Sequence, residues 1–163
     1  MNAPRLEIEA PLDEPLIAWR RFVRAMPERL FDAWTMPEHL RRWWGPRRLE
    51  LVVCEVDLRV GGGYRFVQRG PDGTERGFHG TYLEIDRPRR LVTTWMYEGS
   101  PDHDAVETVE FEAAEGGTLL RGLSRHDSVQ ARDAHLEAGM DAGMTDTLAR
   151  LDEWSAAEAA DSV

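Results

Sequence analysis

The chain has 163 residues and a formal net charge of −10, with 20 basic and 30 acidic side chains. This length predicts a single domain with a core of its own. The acidic balance argues against nucleic acid as a partner, because phosphate binding needs clustered positive charge. Lysine is absent, which excludes a Schiff base, a lysine general base and a phosphate-binding loop of the Walker type.

No run of residues approaches the roughly 18 apolar residues that a membrane span requires, and the N-terminus has no apolar signal-peptide core. The single cysteine, Cys54, excludes a disulfide framework and a zinc site built on cysteines. It lies in the apolar run 51–54, which predicts a small buried core residue. We therefore expect a cytoplasmic protein without a metal or cofactor.

Turn signals divide much of the chain into strand-length runs. Residues 1–15 are acidic and contain three prolines, and we expect a flexible arm or a loosely attached edge there. Residues 16–24 have the aromatic and branched composition of a strand. Six further runs are separated by glycine, proline and aspartate turns. They are residues 49–56, 64–69, 77–85, 91–98, 106–113 and 118–125.

Residues 25–46 predict two short consecutive helices. Pro27 and Pro37 suit the first position of a helix, where no N–H is needed, and Gly45 ends the second helix. Each helix has one apolar face. The segment carries three tryptophans, Trp34, Trp43 and Trp44. So much aromatic surface must be buried against another element or line a cavity.

Residues 127–160 predict one amphipathic helix of about 30 residues, roughly 45 Å long if unbroken. Its apolar stripe includes Met140 and Met144. Gly139 and Gly143 lie within the stripe, and each costs about 1 kcal/mol relative to alanine inside a helix. We expect this pair to mark a close approach to the sheet or the border of a cavity.

The order of elements predicts an α+β fold with a curved, mostly antiparallel sheet of about six to seven strands. Two short helices follow the first strand. The long C-terminal helix is the element that can cover the apolar face of the sheet. A strongly curved sheet around one helix tends to leave an apolar cavity between them.

Several sequence blocks occur together and in the order found in one known family. The blocks are residues 25–46, 57–66, 69–73, 80–85, 90–95 and 139–151. On these residues, the chain resembles the START-like (SRPBCC) superfamily across about 16–155. Within it, the chain is similar to the group of the C-terminal domain of the activator of Hsp90 ATPase.

The resemblance implies a single helix-grip domain over residues 16–160. Its cavity typically receives a hydrophobic small molecule or lipid. No particular reaction is implied, because members include carriers, cyclases, hydrolases and co-chaperone domains. Gly122 stands where a larger apolar residue is common in the family, and its small size would enlarge the cavity locally.

The candidate ligand site is a set of aromatic, methionine and histidine side chains. They are Trp43, Trp44, Phe66, His79, Tyr82, Trp95, Tyr97, Met140 and Met144. A packed core could account for about half of the aromatic residues. We expect Trp34 in the core, and Trp43 and Trp44 at the mouth of the cavity. His79 lies mid-strand and could orient a ligand; a hydrogen-bonded structural histidine is the alternative.

The other polar motifs are weaker candidates. His126 next to Asp127 and near Ser124 is similar to a hydrolase triad, but adjacency in sequence gives no reason for triad geometry. The Asp-His-Asp sequence at 102–104 could touch a metal, yet no convincing set of further ligands accompanies it. Asp127 or Ser128 is a candidate cap for the C-terminal helix.

Three functions are therefore considered. The first is binding of a hydrophobic or aromatic small molecule or lipid, without a defined reaction. The second is a cyclase- or hydrolase-like enzyme that uses the same cavity, with His79 and Tyr82 as its titratable groups. The third is an interaction module for an Hsp90-type chaperone, which we favour least because the additional N-terminal domain of the eukaryotic activator is absent. A homodimer is an open alternative.

Overall fold

The structure is a computed structural model that describes residues 4–161, with side chains described through residue 158. Residues 1–3 of the expected arm lie outside the described residues. The order of elements is that of an α+β fold, with two short helices after a strand and two helices at the end. The elements are β1 (Glu7–Glu9), β2 (Leu16–Val23), α1 (Pro27–Thr35), α2 (Pro37–Trp43), β3 (Glu50–Val56), β4 (Gly63–Arg69), β5 (Glu75–Asp86), β6 (Arg90–Tyr97), β7 (Asp104–Ala114), β8 (Gly117–His126), α3 (Val129–Glu137) and α4 (Met140–Asp161).

The strands form one antiparallel sheet of eight, in the order β1-β2-β8-β7-β6-β5-β4-β3. The expectation of six to seven strands is corrected by β1, which pairs with β2 and places Glu7 opposite Arg20. These two side chains form an ion pair. The fold is therefore the expected helix-grip arrangement with one additional edge strand.

A buried arginine of α3 holds the segment between β1 and β2. Arg132 is only 1% exposed. Its Nη1 donates hydrogen bonds to three backbone oxygens, at 2.7 Å to Pro11, 2.9 Å to Glu14 and 3.0 Å to Leu16. A charged donor shared by three carbonyls stabilises a turn that has few apolar residues of its own.

The helices α1 and α2 begin at Pro27 and Pro37, as the sequence predicts. Proline fixes φ near the helical value and lacks only an N–H that the first turn would leave free. The buried face of α1 packs on β7, where the rings of Phe31 and Phe111 lie 5.4 Å apart. Leu148 of α4 is also buried in this core.

The predicted long C-terminal helix is confirmed as α4, but the helix does not run unbroken over residues 127–160, because α3 forms a separate helix before it. Gly139 has φ of +93°, a left-handed conformation that ends α3 and that other residues adopt at a cost. Ser128 caps α3, since its side chain accepts a 3.0 Å hydrogen bond from the N–H of Ala131. Within residues 4–161 no helix has both the length and the apolar composition to cross a bilayer.

Candidate functional site

A cavity of about 420 Å³ lies between the concave face of the sheet and the C-terminal helices. Strands β2 and β4 to β8, together with all four helices, contribute to its lining. The volume falls in the range of about 300–1,000 Å³ that is typical of small-molecule sites. The cavity therefore has room for an organic ligand.

Aromatic rings form one continuous wall of the cavity. The ring of Trp44 lies 4.8 Å from Phe66 and 5.7 Å from Phe78. Phe78 in turn lies 5.6 Å from Trp95 and 5.3 Å from Tyr97. These separations are those of interacting aromatic pairs. The wall thus presents flat, rigid apolar surface to the interior.

The structure brings eight of the nine candidate site residues to the cavity. Both methionines line it from α4, where their flexible side chains can adapt to a ligand. The eight are Trp43, Trp44, Phe66, Tyr82, Trp95, Tyr97, Met140 and Met144.

His79 is the exception, because it lies on the outer face of the sheet. Side chains alternate along a strand, and Phe78 and Tyr82 of β5 point into the cavity. His79 therefore points outward, where its Nδ1 lies 2.9 Å from Glu98. Hydrogen bonds from Arg65 and contact with His79 lower the pKa of Glu98 to about 2. His79 belongs to a surface ion-pair cluster.

Trp43, the last residue of α2, and Trp44, which follows it, differ in position. Trp43 is 1% exposed, and its indole N–H donates a 2.9 Å hydrogen bond to the backbone oxygen of Ala33. The prediction that Trp43 lies at the mouth of the cavity is therefore wrong. Trp43 is a core residue that also forms part of the cavity wall. Trp34 packs on it with a ring distance of 4.6 Å. Trp44 is half-buried and extends the aromatic wall.

The expectation that Gly122 enlarges the cavity is wrong, because the indole of Trp19 fills the space beside it. It lies opposite Trp19 in the pairing of β2 with β8. A Cβ atom at position 122 would lie closer to the indole of Trp19 than the 3.0 Å that real contacts keep. The missing side chain makes room for this indole, which lines the cavity.

A row of polar side chains crosses the concave face of the sheet. Tyr82 pairs with Thr93, Thr93 pairs with Glu107, and Glu107 pairs with Ser124. Residues directly opposite each other on paired strands project to the same side. All four line the cavity. The otherwise apolar interior therefore contains a band of hydroxyl and carboxyl groups.

Glu107 is the residue that sequence reasoning missed. It is the one acidic side chain among the described residues that line the cavity. Burial raises its pKa from 4.5 to about 7, because the charged form loses its water. The signal in the sequence is the alternation along β7: the apolar residues Ala105, Val109 and Phe111 lie at every second position and are buried. Glu107 stands at an inward position of that series.

Two histidines lie beside the polar row. The Oγ of Ser124 lies 2.7 Å from Nε2 of His126, and both residues are buried. The ring of His126 lies 5.2 Å from that of His135 on α3. Burial lowers the pKa of His126, and lowers that of His135 to about 4. Both imidazoles are therefore neutral at pH 7.

The mouth of the cavity is marked by its exposed lining residues, which are Arg48, Arg76, Ala138 and Gly139. The loop that carries Arg48 is fastened to α4. Arg150 donates a 2.8 Å hydrogen bond to the backbone oxygen of Gly45. Arg47 bonds to Asp146 through Nε at 3.0 Å. One rim of the mouth is thus held in place by charged contacts.

No group of three or more histidine, cysteine or acidic side chains is placed to hold a metal ion within the described part of the chain. His103, which the sequence offered as a weak candidate ligand, lies with its Nδ1 3.2 Å from Oδ2 of Asp127. This contact is a surface ion pair when the imidazole is protonated.

Solved structures with similar folds come from several bacteria. A crystal structure from Rhodobacter sphaeroides is 29% identical, with a TM-score of 0.87, and the match covers 94% of this chain and 99% of that one. A Chromobacterium violaceum protein is 26% identical with a TM-score of 0.75, covering 86% and 96%. A Nitrosomonas europaea protein is 24% identical with a TM-score of 0.80, covering 89% and 96%.

A comparison with protein families also matches most of the chain. No protein of curated function matches the chain in sequence. The family described as Activator of Hsp90 ATPase homolog 1-like protein matches residues 24–156. This match and the fold agree with the resemblance that the sequence blocks suggest. The chain belongs to the Activator of Hsp90 ATPase homolog 1-like family, within the START-like (SRPBCC) group.

Proposed function

We propose that this protein binds a hydrophobic small molecule with an aromatic or otherwise flat body in its internal cavity. The observation that carries the proposal is the cavity of about 420 Å³ with its wall of aromatic rings. Burial of apolar ligand surface there contributes about 25 cal/mol per Å². The family is consistent with a ligand-binding domain.

The polar row supports the same proposal. Ligand sites combine a mostly apolar lining with a few polar groups that orient the ligand. Here Tyr82, Thr93, Glu107 and Ser124 provide such groups from four neighbouring strands. Strands of a sheet hold side chains more rigidly than loops do, and a rigid site loses less entropy on binding.

A fluorescence titration with the uncharged probe N-phenyl-1-naphthylamine tests the proposal. We expect saturable binding of one molecule per chain. The variant Met144→Trp places an indole in the cavity lining and should weaken binding at least tenfold. Met26→Trp, at an exposed position, is the matched control and should bind as the wild type does. Absence of saturable binding, or equal binding by both variants, would overturn the proposal.

One observation favours a second candidate function, a hydrolase. The 2.7 Å contact between Ser124 and His126 at the cavity wall is the contact of a nucleophile with its general base. No carboxylate hydrogen-bonds to the other ring nitrogen of His126 among residues 4–161, so the third member of a triad is missing there. Ligand binding without a reaction is therefore preferred.

Turnover of p-nitrophenyl butyrate separates the two candidates. A hydrolase should release p-nitrophenol catalytically, and Ser124→Ala should abolish the release while probe binding persists. The binding proposal predicts no difference between wild type and Ser124→Ala in ester hydrolysis. A loss of 100-fold or more in Ser124→Ala would establish the hydrolase instead.

A cytoplasmic location is part of the proposed function. Cys54 is a buried free thiol, and burial raises its pKa to about 11. Domains that depend on no disulfide are typical of reducing compartments. Cell fractionation tests this location, and recovery in a secreted or periplasmic fraction would contradict it.

A further inference from the structure

The cavity contains one carboxyl group that has no counterion. Glu107 forms no hydrogen bond or ion pair with any residue in the part of the chain that the structure describes, and it is half-buried on the cavity side of the central strands. An ionised carboxylate in such a position is costly unless a partner compensates it. Proteins rarely keep an unpaired buried acid for stability alone.

The ionisable groups that surround Glu107 supply no positive charge. Tyr64 on β4 and Tyr82 on β5 have pKa values raised by burial, so both phenols stay neutral. His126 on β8 and His135 on α3 have pKa values lowered by burial and are neutral at pH 7. None of these groups supplies a counterion when Glu107 ionises, so a cationic group on a bound molecule would be its partner.

The two arginines of the lining do not serve as that counterion. Arg48 and Arg76 are exposed at the mouth, whereas Glu107 lies in the central strands of the sheet. Water screens charges at exposed positions strongly, and it screens a buried carboxyl much less. The interior is consequently a negative site beneath a positive rim.

The walls of the cavity also suit a cation. Aromatic faces carry negative potential, and organic cations bind against the rings of tryptophan, tyrosine and phenylalanine. Tyr64 and Tyr82, whose ring centres are 5.7 Å apart, lie on the same wall as Phe66. A site that combines aromatic faces with one carboxylate recognises a protonated nitrogen attached to an apolar body.

We infer that the natural ligand is a hydrophobic amine whose protonated nitrogen pairs with Glu107 while its apolar body packs against the aromatic wall. This inference rests on the proposed function and narrows the ligand to one chemical class. A charge-assisted hydrogen bond from the nitrogen to Glu107 supplies orientation. Thr93 and Ser124, the neighbours of Glu107 in the polar row, offer hydroxyl groups for the remaining N–H donors.

Three probes with one aromatic body test the inference by isothermal titration calorimetry at pH 7. They are 2-naphthylethylamine, 2-naphthylethanol and 2-naphthylacetate. We expect the amine to bind at least tenfold more tightly than the alcohol, and the acetate to bind most weakly. In Glu107→Gln the preference for the amine should disappear, while affinity for the alcohol changes less than about threefold.

The matched control is Glu110→Gln. Glu110 lies on the same strand but is exposed on the other face, so this variant should keep the preference for the amine. Proton release gives a second readout that needs no variant. With a pKa of about 7, Glu107 is half protonated at pH 7, and pairing with the amine should expel up to about one-half proton. Titrations in buffers of different ionisation enthalpy measure this release.

The outcomes separate the inference from the function on which it rests. If the alcohol or the acetate binds as tightly as the amine, or if Glu107→Gln keeps the preference, the inference is wrong and the binding function stands. A release of protons that persists undiminished in Glu107→Gln would show that Glu107 is not the partner of the amine. If none of the three probes binds although N-phenyl-1-naphthylamine does, the inference is wrong and the binding function stands. If N-phenyl-1-naphthylamine also fails to bind, both fail.

Discussion

Glu107 lies directly opposite Thr93 on the concave face of the sheet, so a carboxyl group and a hydroxyl group project side by side into an otherwise apolar cavity. Each residue occupies an inward position of its strand. A charged residue at such a position opposes the burial of apolar surface that stabilises the sheet. The pair is therefore better explained by ligand binding than by stability.

Replacement of Glu107 by glutamine should stabilise the folded protein in alkaline solution. The pKa of Glu107 is about 7 in the folded chain and 4.5 without burial. Folded-state stability is thus lost as pH rises from about 4.5 to 7, and at pH 8 the loss reaches up to about 3 kcal/mol. At pH 5 the difference between variant and wild type should fall below about 1 kcal/mol.

Urea denaturation of wild type, Glu107→Gln and Glu110→Gln at both pH values measures this effect. Glu110 is exposed, so its variant should show little dependence on pH. Equal stability of Glu107→Gln and wild type at pH 8 would mean that the Glu107 carboxyl is well solvated in the folded protein.

Gly122→Ala should destabilise the protein by about 1–3 kcal/mol, the usual cost of excess volume in a packed interior. The added methyl group would collide with the indole of Trp19. Gly143→Ala is the contrasting variant, since the nearest atom to its Cβ is a carbon of Pro46 at 3.9 Å. Because alanine favours a helix over glycine, we expect a gain of up to about 1 kcal/mol there.

Thermal and urea unfolding compare the two glycine variants directly. Opposite signs are expected. A neutral or stabilising Gly122→Ala would show that Trp19 does not occupy the space above position 122.

Arg132→Met should detach the segment before β2. It removes the donor to the backbone oxygens of Pro11, Glu14 and Leu16. We expect a loss of about 2–5 kcal/mol, because hydrogen bonds from a buried charged donor are strong. Amide hydrogen exchange should show that the strand Glu7–Glu9 loses its protection first.

The control for this variant is Arg89→Met, whose wild-type side chain is 76% exposed and which should leave hydrogen exchange unchanged. Unchanged protection of Glu7–Glu9 in Arg132→Met would contradict the anchoring role of Arg132.

Local signals in the sequence were sufficient for most of the fold. Pro27 and Pro37 placed the starts of two helices because proline acts on its own residue and its neighbours. Turn residues likewise separated seven of the eight strands. The strand Glu7–Glu9 has only three residues and is held by its pairing with β2, a contact between distant parts of the chain that local signals do not show. The break at Gly139 was missed because the apolar stripe continues past it.

The candidate site could be predicted in its aromatic part and not in its polar part. Large apolar side chains such as tryptophan and methionine are buried, and near a predicted cavity they are expected in its wall. Eight of the nine candidates do line the cavity. The imidazole chemistry of His79 suits a ligand site, but Phe78 and Tyr82 are the inward residues of β5. The inward position of Glu107 is not predictable from its residue type, because glutamates in strands usually face solvent.

The most direct test of ligand binding in this cavity is a ¹³C-methyl NMR titration of methionine-labelled protein with N-phenyl-1-naphthylamine. Met140 and Met144 line the cavity, whereas Met26 is 55% exposed and Met96 lies outside the lining. We predict that saturating probe shifts the methyl resonances of Met140 and Met144 and leaves those of Met26 and Met96 in place. Unchanged resonances of Met140 and Met144, or shifts at Met26 and Met96 alone, would contradict binding in the cavity.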